Sequence, residues 1–206
     1  MKNTKVKPAF EIGMTAIEAV VKVLLIHPKI EALSFYVYAP RLNIKEVRGE
    51  PPFLKPLFHD PSRETFGLKW HDAAAGIKMQ EIIMNLNDED LVIAVLSKVR
   101  IGESIFHVPM MDFSCSQSAD NLETIQCFLK EIGQRGAILS SGRSYHFYGA
   151  DLFSETEWPD FFGKCLLSGL VNERYVGHRL IDGCGILRLT ACPLRPKTPI
   201  VVSILE

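Results

Sequence analysis

The chain has 206 residues, with 23 lysines and arginines against 24 aspartates and glutamates, and 47% of its residues are hydrophobic. This composition is ordinary for a globular protein and excludes a fully disordered tail, a collagen-like repeat and a polybasic coat protein. Because the formal charge is only -1, any contact with nucleic acid has to come from a local basic face. The length favours one domain, whose core is large enough to fold without a disulfide or a structural metal.

The five cysteines are odd in number and scattered, and they form no CxxC pair. They suggest neither a disulfide framework nor a four-cysteine zinc site, and a reducing cytoplasm fits them best. The longest apolar stretch near the N-terminus, residues 19–26, is interrupted by Lys22. Since an export signal or a membrane span needs an unbroken apolar run, we expect a cytoplasmic protein that makes no contact with a membrane.

The first ninety residues predict two helices and one strand. Apolar residues recur at helical spacing over residues 12–26, and the His-Pro pair that follows ends this helix. Alternation of large apolar residues with serine and tyrosine predicts a strand over residues 32–38. Residues 41–70 contain four prolines and no sustained period, which predicts irregular structure, whereas residues 73–86 again have helical spacing.

The second half of the chain begins with two strands and a helix. Two apolar runs, residues 91–99 and residues 105–113, are separated by a Gly-Glu pair and predict an antiparallel hairpin. Asp120 and Glu123 have the spacing of a helix start, in which the first side chain accepts from a free N–H and the second reaches back. Gly133 is placed to end this helix.

The remaining patterns predict short elements up to the C-terminus. They are strands over residues 137–140 and 145–148, helices over residues 157–169 and 174–181, and strands over residues 186–190 and 200–205. Strands outnumber helices and come in hairpin-like pairs, so we predict an α+β fold with a mostly antiparallel sheet and helices on one face. Residues 91–206 would form the core, with residues 1–90 as an α/β flanking subdomain of one compact unit.

Three of the predicted strand segments carry polar side chains on one face. Because side chains alternate along a strand, each segment has one apolar row and one polar row. The polar rows are three pairs: Asp112 with Ser114, Ser144 with His146, and Arg188 with Thr190. If the apolar rows face the helices, an acid, hydroxyls, an imidazole and a guanidinium gather on the uncovered face of one sheet.

This set of side chains suits an anionic ligand. His146, Ser144 and Arg188 can donate to phosphate oxygens, while Asp112 can hold a divalent cation that bridges them. The loop of residues 140–143 adds two hydroxyls, free amides and a second guanidinium at the strand edge. A purely structural alternative stays open, in which the aspartate ends a ladder and the Ser-Gly-Arg-Ser segment is a surface turn.

Three motifs carry a resemblance to a known family: Met-Met-Asp-Phe-Ser at residues 110–114, Ser-Gly-Arg-Ser-Tyr-His at residues 141–146, and Ile-Leu-Arg-Leu-Thr at residues 186–190. In order and spacing they resemble the catalytic core of the archaeo-eukaryotic primase superfamily, over about residues 91–206. The resemblance implies an RRM-like sheet, similar to that of an RNA-recognition motif, whose open face binds nucleotide. The nucleotide-binding residues that it implies are Ser141, Arg143, Ser144, His146 and Arg188.

The resemblance also implies divalent metal ions, Mg²⁺ or Mn²⁺, held by three carboxylates for nucleotidyl transfer. In this chain Asp112 is the acid of the first motif, as catalytic residue and metal ligand, and Ser114 stands where a second acid is usual. Thr190 stands where the late strand has the third acid. A serine hydroxyl adds no charge, so two metal ions would be under-neutralised and transfer would be impaired. Asp151 and Asp120 are alternative ligands, although Asp120 also suits a helix cap.

The leading hypothesis is a primase-polymerase-like domain that binds a nucleoside triphosphate, and single-stranded DNA or RNA, as a degenerate nucleotidyltransferase. The alternative is a non-catalytic module that uses the same sheet to bind a single strand or a protein partner. A third hypothesis, a metal-assisted phosphoesterase, lacks a sufficient cluster of histidine and aspartate ligands. The sequence leaves the oligomeric state open.

Several other residues have both a functional and a structural interpretation. Cys115 adjoins the candidate site, as a nucleophile or as a buried thiol. The basic segment of residues 195–197 either contacts a nucleic-acid backbone or is solvated. Aromatic residues that either stack on bases or belong to the core are Tyr36, Tyr38, Phe106 and Tyr148. Histidines that fit exposed loops or structural roles are His59, His71, His107 and His178.

Overall fold

The computed structural model describes residues 10–40, 62–69 and 91–206. The helices of this part of the chain are α1 (Ala16–Ile26), α2 (Ala119–Glu131), α3 (Glu157–Leu167) and α4 (Glu173–Asp182). Its strands are β1 (Ala32–Tyr38), β2 (Ser62–Lys69), β3 (Val92–Ile101), β4 (Ser104–His107), β5 (Met110–Phe113), β6 (Gly136–Ser140), β7 (Tyr145–Gly149), β8 (Phe153–Ser154), β9 (Ile186–Arg188) and β10 (Ile200–Leu205).

The strands form two sheets. One sheet has four strands in the order β10-β6-β7-β5, and the other has six, in the order β2-β1-β3-β4-β8 with β9 paired to β3. The ladders within both sheets are antiparallel. The predicted α+β fold with mostly antiparallel strands is confirmed, but its strands are divided between two sheets.

The division between the sheets falls inside one predicted strand. The apolar run of residues 105–113 is in fact two strands, because β4 ends at His107 and β5 begins at Met110. Pro109 lies between them and has no N–H to give to a ladder. Its carbonyl accepts a hydrogen bond from Gly149 N at 2.7 Å. The hairpin partner of β3 is therefore β4 alone, while β5 pairs with β7 in the other sheet.

The four-stranded sheet is covered on both faces. On one face, Met111 and Phe147 join an apolar cluster with residues of α2, α3 and α4, and each fully buried side chain of this size contributes about 1.5–3 kcal/mol. On the other face, Met110 and Leu139 join a cluster with α1 and the six-stranded sheet. The prediction of an uncovered face is therefore wrong. The polar rows instead meet in what we call the intersheet cleft, formed by Asp112, Ser144, His146 and Arg188.

Helix α1 begins after Thr15 rather than at residue 12. Thr15 accepts from Glu18 N through its hydroxyl at 3.3 Å, and its own N–H donates to the Glu18 carboxylate at 2.7 Å. This reciprocal cap fixes the first turn. Ahead of it, Gly13 N donates to Val201 O at 2.8 Å, so the chain extends along β10 where the apolar spacing predicted helix.

Helix α2 confirms a predicted element but corrects its cap. The residue that caps it is Ser118, whose hydroxyl accepts from Asn121 N at 3.1 Å. Asp120, predicted as the cap, lies within the first turn, where its negative charge suits the helix dipole. The helix ends at Glu131, shortly before Gly133, as the sequence predicts.

The remaining predictions divide into confirmed, wrong and undescribed elements. Strands β1 and β10 match the predicted ranges 32–38 and 200–205. Residues 62–69 were expected to be irregular, but they form β2, because its backbone pairs along most of β1. The predicted helix over residues 73–86 lies outside the described residues, as do His59 and His71.

Strands from before and after residue 90 pair with one another, since β1 is hydrogen-bonded to β3. The division of the chain into a flanking subdomain and a core stays a prediction. Within residues 10–40, 62–69 and 91–206, no helix is long and apolar enough to cross a membrane.

The close approach of Gly149 to Pro109 at the junction between the sheets can be tested by mutation. A Cβ at this position would lie 2.6 Å from Pro109 Cβ. We expect Gly149→Ala to lower the free energy of unfolding by about 1–3 kcal/mol, because Pro109 or the end of β7 has to move. Urea unfolding followed by circular dichroism measures this change. The control is Gly163→Ala in α3, where an added Cβ meets no atom within 4 Å and should be neutral or slightly stabilising. Equal stability of the two variants would contradict the close approach.

Candidate functional site

Two neighbouring strands bring an acid and an imidazole together. In the β5–β7 ladder Asp112 is directly opposite His146, and His146 Nε2 lies 3.6 Å from Asp112 Oδ1. The adjacent residues Met111 and Phe147 point into the core beneath the helices. The apolar row therefore anchors both strands, and the polar row faces the intersheet cleft. His146 is only 4% exposed there.

The turn between β6 and β7 carries the Ser-Gly-Arg-Ser motif. Ser141 N donates to Ser144 O at 2.9 Å, and the hydroxyl oxygens of the two serines are 3.2 Å apart. Gly142 has a φ of +100°, which residues with a side chain rarely adopt. The Ser144 hydroxyl lies close enough to Asp112 to stabilise its charged form, whereas Arg143 is exposed. The turn thus places Ser144 beside the acid.

Arg188 reaches this turn from the other sheet. Its Nη2 donates to Ser141 O at 2.8 Å, and its Nη1 donates to Lys197 O at 3.0 Å and to the carbonyl of Thr190. The residue is only 7% exposed. A buried guanidinium needs its N–H groups matched, and here backbone carbonyls match three of the five. Arg188 therefore joins the β6–β7 turn to the loop after β9.

Arg195 belongs to this site, although the sequence analysis placed it only in a basic segment that contacts a nucleic-acid backbone or is solvated. Cys192 N donates to Arg195 O at 3.0 Å and Arg195 N donates to Cys192 O at 2.8 Å, which closes a tight turn around Pro193. The charge of Arg195, like that of Arg188, favours the ionised form of Asp112. The strand pattern carries no sign of this proximity. The available signal was Pro193, which marks a turn that can return the basic segment toward the sheet.

Burial reverses the ordinary order of acidity in the Asp112–His146 pair. Desolvation raises the pKa of the Asp112 carboxyl to about 7, although the charges of Arg188 and Arg195 and the Ser144 hydroxyl oppose the rise. Desolvation, aided by the charge of Arg188, lowers the pKa of His146 to about 3. At neutral pH the imidazole is therefore neutral, and the carboxyl is divided between its two forms.

Two polar atoms on the cleft side of β7 are buried without a hydrogen-bond partner in the described structure, His146 Nδ1 and the Tyr148 hydroxyl oxygen. His146 and Tyr148 share a face because they are two positions apart on the strand. Desolvation is the main reason that the pKa of Tyr148 is raised. An unsatisfied buried polar group costs about 1–3 kcal/mol, and such groups often mark the position of a water, an ion or a functional site.

The residues here do not fit the pair of divalent ions that the primase resemblance implies. Ser114 donates from Oγ to Leu170 O at 3.3 Å. Asp151 is bound by Arg135, whose two donors lie 2.6 and 2.9 Å from its carboxylate oxygens. Within residues 10–40, 62–69 and 91–206, no group of three histidine, cysteine or acidic side chains could hold a metal ion. Among the residues that the structure describes, Asp112 is thus the acid of the cleft without a second carboxylate beside it to share a metal ion.

Thr190, which stands where the late strand of the motif has its third acid, lies beyond the end of β9. Strand β9 ends at Arg188, two residues before the predicted end. The Thr190 hydroxyl accepts from Ile93 N at 3.0 Å, so it satisfies a backbone donor of β3. The short β9 reflects this side-chain bond, which replaces a ladder bond at the strand end.

The other candidate residues separate into core and partly exposed positions. Burial is the main reason that the pKa of the Cys115 thiol is raised, which makes it a poor nucleophile. His107 is buried, with Nδ1 3.0 Å from Ser97 Oγ, as expected for a structural histidine. Tyr36 and Tyr38 are half-buried on β1, with ring centres 5.6 Å apart.

The raised pKa of Asp112 predicts a pH-dependent effect of its removal. The folded-state pKa lies near 7, above the ordinary 3.8, so ionising the carboxyl disfavours folding increasingly as the pH rises through this range. We expect Asp112→Asn to stabilise the protein more at about pH 8 than at about pH 5. Because the side chain is 40% exposed, the difference should be on the order of 1 kcal/mol. Urea unfolding at both pH values measures it, and an equal effect at both would contradict the desolvation.

Comparison with known proteins identifies the family of the chain. Residues 76–199, more than half of the 206 residues, match the family model described as AEP-like, archaeo-eukaryotic primase 1D-like. The motifs that contain Asp112, His146 and Arg188 all lie within the matched range. No curated protein and no solved structure matches the chain. The primase resemblance is therefore confirmed, and the chain belongs to the archaeo-eukaryotic primase 1D-like family.

Proposed function

We propose that this chain is a primase-polymerase-like domain that binds a nucleoside triphosphate in the intersheet cleft and is impaired in nucleotidyl transfer. The observation that carries the proposal is the convergence of Asp112, Ser144 and His146 from two strands and a turn, with two guanidiniums beside them. These groups come from distant parts of the chain, and membership of the primase family supports their assignment to nucleotide.

Phosphate recognition follows from the charge and the donors of the cleft. The hydroxyls of Ser141 and Ser144 lie on one turn and can both donate to phosphate oxygens. Arg143, exposed on the same turn, adds a guanidinium that a phosphate can reach from solvent. Arg188 donates to the carbonyl of Ser141 and so fixes the turn, which holds these donors in position before a ligand binds.

Impaired transfer follows from the lack of negative charge. Mg²⁺ or Mn²⁺ would supply the charge stabilisation that nucleotidyl transfer requires, and two such ions need several carboxylates to hold them. Among the described residues, Asp112 is the acid of the cleft. Its raised pKa means that a smaller fraction of the carboxyl is ionised at neutral pH than in an ordinary aspartate. Asp112 and Ser114 therefore form a poor pair of metal ligands. In this proposal the chain binds nucleotide but is impaired in nucleotidyl transfer.

A second candidate function is a non-catalytic module that binds single-stranded DNA or RNA. The weak donor set for metal favours it, as do the partly exposed rings of Tyr36 and Tyr38, which offer a surface for base stacking. This candidate predicts salt-dependent binding of a strand without binding of a free nucleotide.

Calorimetric titration with ATP and dATP tests the nucleotide site. We expect Ser144→Ala to weaken binding roughly 10-fold, because one hydrogen bond to a charged phosphate is lost. His146→Ala should weaken it further, since the imidazole also positions Asp112 across the ladder. Thr124→Ala is the control, because it removes an exposed hydroxyl of α2. Wild-type affinity in both cleft variants, with an unaltered circular dichroism spectrum, would show that the assignment is wrong.

Primer extension in the presence of Mg²⁺ or Mn²⁺ tests the impairment. We expect the wild-type chain and Asp112→Asn to give the same background incorporation, because one acid cannot neutralise a pair of ions. A gel assay with a labelled primer and template measures it. Incorporation that is well above background and disappears in Asp112→Asn would establish an active polymerase and contradict the impaired transfer.

A further inference from the structure

The described residues of the intersheet cleft carry more positive than negative charge. The guanidiniums of Arg188 and Arg195 both act on the carboxyl of Asp112. Arg188 donates to both Ser141 O and Lys197 O, so it holds the loop that carries Arg195 against the turn that carries Ser144. The described residues offer no cluster of three ligands that would add negative charge for a metal. A site with this balance repels a divalent cation and attracts an anion.

Arg188 is not the group best placed to contact that anion. It is 7% exposed, and three of its N–H groups donate to backbone carbonyls. The charge of Arg188 acts across the cleft, but its hydrogen bonds hold the β6–β7 turn and the loop after β9. We therefore regard it as a positioning residue.

Arg195 has the donors that Arg188 lacks. It is half-buried, and within the described part of the chain its side chain makes one hydrogen bond, from Nη1 to Leu194 O at 2.9 Å. The other guanidinium N–H groups remain available to a ligand. Its backbone is fixed by the paired bonds with Cys192, and Arg188 holds the same loop at Thr190 and Lys197. Arg195 is thus a cation on a fixed backbone, near enough to Asp112 for its charge to favour the ionised carboxyl.

We propose that the intersheet cleft binds the triphosphate of its nucleotide without a divalent cation, and that Arg195 donates directly to phosphate oxygens. The inference rests on the proposed function and adds the ionic form of the ligand and the residue that neutralises it. A guanidinium suits this role because its planar fork pairs with two phosphate oxygens at once and its charge is permanent.

Titration of the full chain with ATP, in EDTA and separately in excess Mg²⁺ or Mn²⁺, tests the inference. We expect wild-type affinity to agree within about twofold between the conditions. Arg195→Gln should bind roughly 10- to 100-fold more weakly in each, because a charge-assisted pair of hydrogen bonds is lost. Arg195→Lys should be intermediate, since it keeps the charge without the fork. Arg100→Gln is the matched control. Arg100 is exposed near the C-terminal end of β3, away from the residues of β3 that pair with β9.

The outcomes separate this inference from the function on which it rests. ATP binding that requires the metal would overturn the inference and leave the nucleotide site standing. No ATP binding in any condition would overturn the nucleotide site itself. If folded Arg195→Gln bound ATP with wild-type affinity, Arg195 would not be part of the site. Tripolyphosphate should show the same loss in Arg195→Gln as ATP, and a loss confined to ATP would place Arg195 against the base or sugar and overturn the phosphate contact.

Discussion

The guanidinium of Arg188 donates to the carbonyls of Ser141, Thr190 and Lys197, which belong to two different loops. Because β9 pairs with β3 while Ser141 follows β6, these bonds tie the six-stranded sheet to the four-stranded sheet. Carbonyl dipoles satisfy the donors of a buried guanidinium without cancelling its charge. The same group that closes the fold around the cleft therefore also makes the cleft electropositive.

Burial gives the Asp112–His146 pair its unusual state, and the charge of Arg188 modifies it. For the carboxyl, the positive charge of Arg188 opposes the effect of burial on the pKa, whereas for the imidazole it adds to it. Between the two groups, a proton therefore resides on the acid rather than on the base, the reverse of the arrangement in water. A carboxyl that is only partly ionised attracts a metal ion weakly, so the electrostatics of the cleft and its ligand chemistry have one origin.

Local pattern predicted the part of the site that lies within one ladder. Alternation places Asp112 and His146 on one face, and adjacent strands then bring them together. Arg188 was expected on the same sheet, but its strand pairs with β3, a long-range choice that alternation does not encode. The hydroxyl of Thr190 bonds to the backbone of β3, and Arg195 lies on a loop. Alternation predicted a strand through Thr190 but gives no sign that its hydroxyl bonds to β3, and the loop that carries Arg195 has no periodicity.

The link between β4 and β5 carries the chain from one sheet to the other in only two residues, Val108 and Pro109. It is bonded at both ends, because Val108 N donates to Ser97 O at 2.8 Å and the Pro109 carbonyl accepts from Gly149 N. Each of the two linking residues is thus bonded to the sheet on its own side, which leaves no spare chain between the sheets. An insertion or deletion in this link would shift the register of β5 against β7, and with it the pairing of Asp112 with His146.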